Sequence, residues 1–416
     1  MITKPKGTYD LINKDAQMYK YIEGTIEEFM SVYNYDFIRT PVFESTELFH
    51  RSVGDETDIV SKETYDFKDR GDRNITLRPE GTAGIVRSYI ENKLYGNKND
   101  AVKLWYLETM YRYERPGAGR NREFTQFGIE TFGSNEVMID AEVISIGYNL
   151  LNVLGLSDIV VSINSLGDKE SRERYTKALV DYLKPYESDL CSDCQRRIKT
   201  NPLRVLDCKV DADKDYFAKI PKISDYLSEE STNRFSSLLN LLRLLDIDYE
   251  IDDKLVRGLD YYSENVWEYK NASGTTLGGG GRYNSLVETL GGPSTPGIGF
   301  ALGLDRIIID LEKELDASKF TKKIDVYIMC LSEEEKLKAT MIAQDLRLNG
   351  IITEVNNNNL SLKSMFKVAD SLNASFLLIL KNEDLQKGLI TIKDNVTKEE
   401  IKIDESELVD YLLGNI

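Results

Sequence analysis

Three short segments, far apart in the chain, carry side chains able to handle anions and a cation. Tyr111-Arg112-Tyr113-Glu114-Arg115 ends an apolar, strand-like run and opens a loop that adds Arg120 and Arg122. The guanidinium is a planar, permanently charged fork suited to bidentate phosphate contacts, so arginines concentrated beside a hairpin point to a polyanion site. In Gly297-Ile298-Gly299-Phe300-Ala301-Leu302-Gly303-Leu304-Asp305-Arg306, small residues let a strand and a helix pack closely, and Arg306 stands on the first helical turn. Leu77-Arg78-Pro79-Glu80-Gly81-Thr82 sets a carboxylate and a hydroxyl two residues apart, a grip for an ammonium group. Each segment also has a plainer reading. A run of arginines commonly faces solvent, and a glycine-rich strand commonly serves only helix-to-sheet packing.

The elements that must position these groups follow from hydrophobic spacing. Met18, Tyr19, Ile22, Ile26, Phe29 and Met30 have the 3,4 spacing of an amphipathic helix over 15–33. Phe37 to Phe43 reads as a strand interrupted by Pro41, which cannot donate to a central ladder. Lys103–Leu107 and Arg122–Glu130 predict a hairpin around Arg115-Pro116-Gly117-Ala118-Gly119. Helices are expected over 139–154 and 168–184, flanking a strand at 159–163, with a helical insertion at about 170–250. Strand-like residues resume at 265–269, and Gly278 to Gly281 lead into a predicted helix at 282–290. A strand at 297–302 then enters a helix at 305–315. Beyond the polar stretch 316–319, apolar strands alternate with amphipathic helices, which implies a small α/β domain with a largely parallel sheet. The asparagine run 356–359 reads as a loop. The boundary falls near 320, giving domains 1–320 and 321–416.

Composition narrows the class. The chain has 416 residues with 70 acidic against 53 basic side chains, and the resulting charge of −17 argues against indiscriminate nucleic-acid coating. No apolar run of membrane-spanning length and no signal peptide is evident, so a cytoplasmic protein with no membrane partner is expected. Four cysteines are too few for a disulfide framework.

The order of the segments is more specific than any one of them. A helix and a proline-containing strand, an Arg-x-Glu hairpin, then Gly-x-Gly-x-x-x-Gly-x-Asp-Arg resembles motifs 1, 2 and 3 of the class II aminoacyl-tRNA synthetases. Further pieces are similar to the histidyl-tRNA synthetase family. These are Lys6-Gly7-Thr8-Tyr9-Asp10, Thr76 to Thr82, Phe124-Thr125-Gln126-Phe127-Gly128-Ile129-Glu130, Gly280-Gly281-Arg282-Tyr283-Asn284 and, most discriminating, Leu255-Val256-Arg257-Gly258-Leu259-Asp260-Tyr261-Tyr262.

The resemblance implies an α+β fold: a class II catalytic domain with an antiparallel sheet, flanking helices and a helical insertion, followed by an α/β anticodon-binding domain. It implies a histidine–tRNA ligase using ATP and Mg²⁺, with tRNA(His) as partner and a homodimer built on motif 1. Arg112, Arg257 and Gln126 would be catalytic, and Arg112, Glu114, Arg120 and Arg306 would bind ATP. Glu80 and Thr82 would hold the α-ammonium of histidine with Gln126 close to the same end, Arg112 would hold its carboxylate together with the α-phosphate, and Arg257, also histidine-binding, would add positive charge at the reacting centre. Glu130 and Tyr262 would pair with the imidazole, and Tyr261 and Tyr283 would line its pocket. Arg115 and Arg122 would reach the tRNA acceptor end. The alternative is the synthetase-like regulatory subunit of an ATP phosphoribosyltransferase, a class that typically erodes the ATP arginines and lacks the tail domain. Tyr113 and Asp305 stand where the family often has histidine and glutamate.

Cys191-Ser192-Asp193-Cys194 with Cys208 fourteen residues on supplies one zinc-like half. No fourth ligand is evident nearby, so free thiols and no metal are expected. The single histidine, His50, reads as a surface or interface residue, which leaves catalysis without a protein imidazole.

Overall fold

Leu104, Tyr106, Glu108 and Met110 are buried while their neighbours are only partly covered, the period of two of a strand with one face on a core. That strand is central to the first of two units, Met1–Leu11 with Met18–Asp316; the second is Ile12–Gln17 with Ala317–Ile416. The computed structural model describes residues 1–54, 57–96, 101–316, 320–356, 358 and 360–416. Residues 317–319 of the polar stretch, and Asn357 and Asn359 of the expected loop, lie outside the described residues.

The strands of the first unit are β1 Asp36–Phe37, β2 Phe43–Ser45, β3 Tyr65–Lys68, β4 Asn74–Leu77, β5 Val102–Tyr111, β6 Glu123–Phe132, β7 Val160–Ser165, β8 Tyr249–Ile251, β9 Ser263–Lys270, β10 Thr276–Arg282 and β11 Gly297–Gly303. Eight form one sheet in the order β1-β5-β6-β11-β10-β9-β7-β8, and β2-β4-β3 form a small one. The inner pairs are antiparallel, as expected, but β1 with β5 and β7 with β8 are parallel. Parallel neighbours need a long crossover. The helical insertion is that crossover between β7 and β8.

Pro41 divides the expected 37–43 strand. Its halves become β1 and β2, which belong to different sheets. The four glycines do not open a helix: they lie within β10, and only Leu286–Thr289 is helical after it. Between β9 and β11 a side chain has no room, since a Cβ on Gly280 would sit 2.0 Å from the Gly299 carbonyl oxygen.

The insertion contains helices Lys169–Leu183, Ser192–Thr200 and Glu229–Leu244 linked by 3₁₀ turns. Its Tyr175, Leu183 and Ile198 share one core with Tyr106, Tyr262 and Tyr283, which joins it to the eight-stranded sheet. The helix Val137–Leu154 is long and apolar enough to cross a membrane by length and composition, unlike the expectation above, but half of it is buried inside the protein. Its Asp140 is fully buried and takes a bidentate ion pair from Arg282, plus bonds from Arg234 and Asn265. This is a core helix with a satisfied buried charge.

In the second unit, β12 Ile324–Met329, β13 Thr353–Val355, β14 Ala374–Ile379, β15 Leu389–Asp394 and β16 Glu400–Asp404 form a sheet in the order β13-β12-β14-β15-β16. Helices Glu333–Leu348 and Leu362–Ser371 make the crossovers. The parallel part ends at β14; β15 and β16 add an antiparallel hairpin.

Candidate active site

The hairpin β5–β6, the ends of β10 and β11, and the segment before β9 enclose a cavity of about 660 Å³. Glu80, Thr82, Arg112, Gln126 and Arg257 line it, as do Glu114, Arg120 and Arg306. Residues separated by more than two hundred positions thus converge on one cleft.

Its positive end comes from three segments. The Arg112 Nε donates to the Pro79 carbonyl at 2.8 Å, and its guanidinium lies over Phe124, which aims the fork. Arg306 donates to the carbonyls of Thr276 and Gly119. Burial, then the like charges of Arg120 and Arg112, pull the Arg306 pKa below its ordinary value against the opposing pull of Glu114 and Glu268. Cations held close enough to repel one another are prepared for an anion. Arg257 pairs with Glu268, whose other oxygen accepts from Thr276 Oγ1, while its carbonyl accepts from Arg204 at 2.9 Å. Two buried atoms in the cavity wall, Arg257 Nε and Gln126 Oε1, have no partner among the described residues. Groups buried without a partner are expected where a ligand completes them.

The opposite end is acidic and enclosed. Glu80 accepts the backbone N–H groups of Thr82 and Ala83, both at 2.8 Å, at the start of helix Thr82–Glu91. Burial nevertheless raises its pKa. Beneath it Glu130 is 1% exposed and accepts from Thr82 Oγ1 at 2.6 Å and from the Tyr283 hydroxyl. Glu130 reaches this position because Gly299 has no side chain; a Cβ there would stand 1.9 Å from Oε2.

The hydroxyl bonded to Glu130 is that of Tyr283; Glu130 and Tyr283 lie behind the cavity lining, with Tyr261 and Tyr262 in the lining itself. Thr82 is committed to Glu130, and Tyr261 donates toward Glu80 at 3.4 Å. Arg122 is not in the lining: it stacks on Tyr113 at 3.8 Å and bonds the Glu114 carbonyl, which braces the loop. Arg115 is exposed, as is His50.

Spacing missed two positioning carboxylates. Glu268 braces Arg257, and Asp305 accepts from Tyr9, Tyr19 and Asn121, tying the chain start and the arginine loop to the helix bearing Arg306. Only the family-like Tyr9 and Asp305 gave a sequence signal.

Burial raises the Glu130 pKa to about 8 from an ordinary 4.5. The folded protein therefore holds a proton there that the unfolded chain has lost, so this stabilisation is complete below about pH 4.5 and is lost as pH rises through 8. Glu130→Gln should flatten that loss: its melting temperature should gain on the parent's between about pH 6 and about pH 9. Parallel pH profiles of the two proteins would contradict it.

Residues 7–168 and 195–307 match the family model of histidyl-tRNA synthetase, and 325–415 match that of the anticodon binding domain. The chain is 48% identical over 407 residues to a histidine–tRNA ligase of Bacillus cytotoxicus, covering 96% of each. The chain belongs to the histidyl-tRNA synthetase family. A similar ligase of Anoxybacillus flavithermus is 46% identical over 98% of each chain. The apo histidyl-tRNA synthetase of S. aureus superposes with a TM-score of 0.84 at 39% identity, covering 99% of this chain and all of that one. Family membership makes the chain an aminoacyl-tRNA synthetase with a C-terminal anticodon-binding domain.

Proposed function

We infer that this histidyl-tRNA synthetase family member activates histidine with ATP and transfers it to the 3′ end of tRNA(His). The observation that carries the reading is the polarity of this cleft: Arg112, Arg257 and Arg306 toward one end, Glu80 above Glu130 toward the other.

Joining a carboxylate to the α-phosphate of ATP requires two anions to approach. Arg112 lies where it can hold both, Arg306 takes the γ-phosphate with Arg120 and Glu114 beside it, and Arg257 faces the charge that builds on the phosphoryl oxygens during in-line displacement. Magnesium, carried on the triphosphate, would neutralise part of its charge; Glu114 and Glu268 are the cleft carboxylates able to complete its shell. Glu80 receives the α-ammonium, and Gln126 offers its unpartnered oxygen to the same group. Tyr261 and Tyr262 wall the imidazole pocket, and Glu130, one layer behind that lining and held there by Thr82 and Tyr283, is the acceptor we assign to the ring N–H. Arg115, and Arg122 beside it, face the acceptor end of the tRNA. The regulatory-subunit reading loses force because all three arginines and the tail domain are present.

The test is aminoacylation: purified enzyme with ATP, Mg²⁺ and labelled histidine should charge tRNA(His) and leave other tRNAs uncharged. Absence of charging by enzyme that melts cooperatively would overturn the reading. A cytoplasmic homodimer accompanies it, so sedimentation at micromolar concentration should give twice the single-chain mass of 47.5 kDa. Single-chain particles alone would rule the dimer out.

A further inference from the structure

The cysteines left unassigned by spacing are brought together in the insertion. Cys191 caps the start of helix Ser192–Thr200, Cys194 lies within its first turn, and Cys208 follows the 3₁₀ turn Pro202–Val205. The fourth group absent from the local spacing is Asp211, three residues after Cys208 and fully buried. One ligand atom from each of the four lies within 4.8 Å of all the others. Free thiols without a metal were expected; the fold supplies the missing carboxylate.

We propose that Cys191, Cys194, Cys208 and Asp211 form a structural site for a thiophilic divalent cation, zinc by preference. Zinc binds thiolates at about 2.3 Å and carboxylates at about 2.1 Å, so a tetrahedral shell has edges of about 3.8 Å between sulfurs and about 3.6 Å from sulfur to oxygen. Here Cys191 Sγ and Cys208 Sγ are 3.7 Å apart, and Cys208 Sγ is 3.6 Å from Asp211 Oδ2. The outer groups are also in place. Lys214 Nζ holds Asp211 Oδ1 at 2.9 Å, leaving Oδ2 toward the sulfurs and offsetting part of the ligands' negative charge. The Cys191 backbone N–H bonds the same carboxylate, and the Asp211 N–H donates to Cys208 Sγ at 3.4 Å. Second partners of this kind fix ligand orientation in metal sites. Three thiols and a carboxylate are a borderline-soft set that suits zinc and disfavours magnesium or calcium.

The site fastens the ends of a segment that supports the active site. Between Cys194 and Cys208 lie Arg197, paired with Asp58, and Arg204, whose guanidinium donates to the Arg257 carbonyl. The cation thus fixes the backbone from which Arg257 projects.

The experiment is metal analysis of the full-length enzyme, expressed with added zinc and purified without chelator under reducing conditions, followed by exchange into cobalt(II). We expect about one zinc per chain and, with cobalt, thiolate charge-transfer and tetrahedral visible bands. Cys194→Ser should lose at least ten-fold in bound metal, whereas Cys330→Ala, altering the cysteine of the second unit, should keep it. If Cys194→Ser does not fold, Asp211→Asn keeps the three sulfurs and should shift the cobalt bands. Parent enzyme that holds less than a tenth of an equivalent and gives no cobalt bands would overturn the proposal. So would a Cys191–Cys208 disulfide in the purified protein, equal metal loss from Cys330→Ala, or cobalt bands unmoved in Asp211→Asn.

Discussion

Arg257→Ala should slow histidyl-adenylate formation by about 10²- to 10³-fold while changing histidine affinity by less than about three-fold, the pattern of a charge aimed at the transition state. Arg257 does not hang freely in the cleft. Glu268 grips one end of its fork, Arg204 holds its carbonyl, and its Nε is buried without a partner among the described residues. That preorganisation makes the cation useful, since little rearrangement remains when charge develops. Removing it leaves the adenylating oxygens facing Glu268, a second penalty. Single-turnover adenylate formation and equilibrium dialysis with histidine check the two halves. Equal losses in both would make Arg257 a binding residue, and no loss in either would remove it from the mechanism.

Glu130→Ala should have the larger effect on specificity, lowering kcat/KM for histidine by roughly 10³-fold. The Thr82 hydroxyl, the Tyr283 hydroxyl and the substrate ring would all lose their acceptor in a buried place, and each unpaired group costs about 1–3 kcal/mol. Sites built to hydrogen-bond a substrate reject analogues lacking the partner for the same reason. The parent enzyme should therefore reject an isosteric histidine analogue without ring nitrogens, and Glu130→Ala should narrow that discrimination. Steady-state kinetics with both substrates measure it. An unchanged ratio would place the imidazole elsewhere in the cleft.

Most of the catalytic scaffold was legible because local spacing and long-range order agree in it. Strand β5 alternates with a period of two, and Arg306 follows a strand whose glycines have a packing reason to be there. What spacing could not show depends on neighbours distant in sequence. Gly278 to Gly281 looked like a turn into a helix, yet they are glycines because β9 and β11 leave no room for a Cβ. Tyr262 and Tyr283 are chemically equivalent donors, and the meeting of Tyr283 with Glu130 depends on room that Gly297 leaves for the tyrosine ring and Gly299 for the carboxylate. The hairpin β15–β16 escaped notice because β16 is only five residues long and largely exposed, so its alternating Ile401 and Ile403 are too few to stand out in a charged stretch. Asp211 was invisible for a similar reason: an aspartate three residues past a cysteine matches no familiar zinc spacing, and its burial beside three sulfurs is a property of the fold.

The central claim is that the cleft joins histidine to ATP, and amino-acid-dependent exchange of labelled pyrophosphate into ATP tests it most directly. The enzyme should catalyse exchange with histidine and Mg²⁺ and remain at background with proline or threonine, whose side chains give Glu130 no ring N–H to accept. Exchange driven equally by those amino acids, or none with histidine in a preparation that melts cooperatively, would contradict the account.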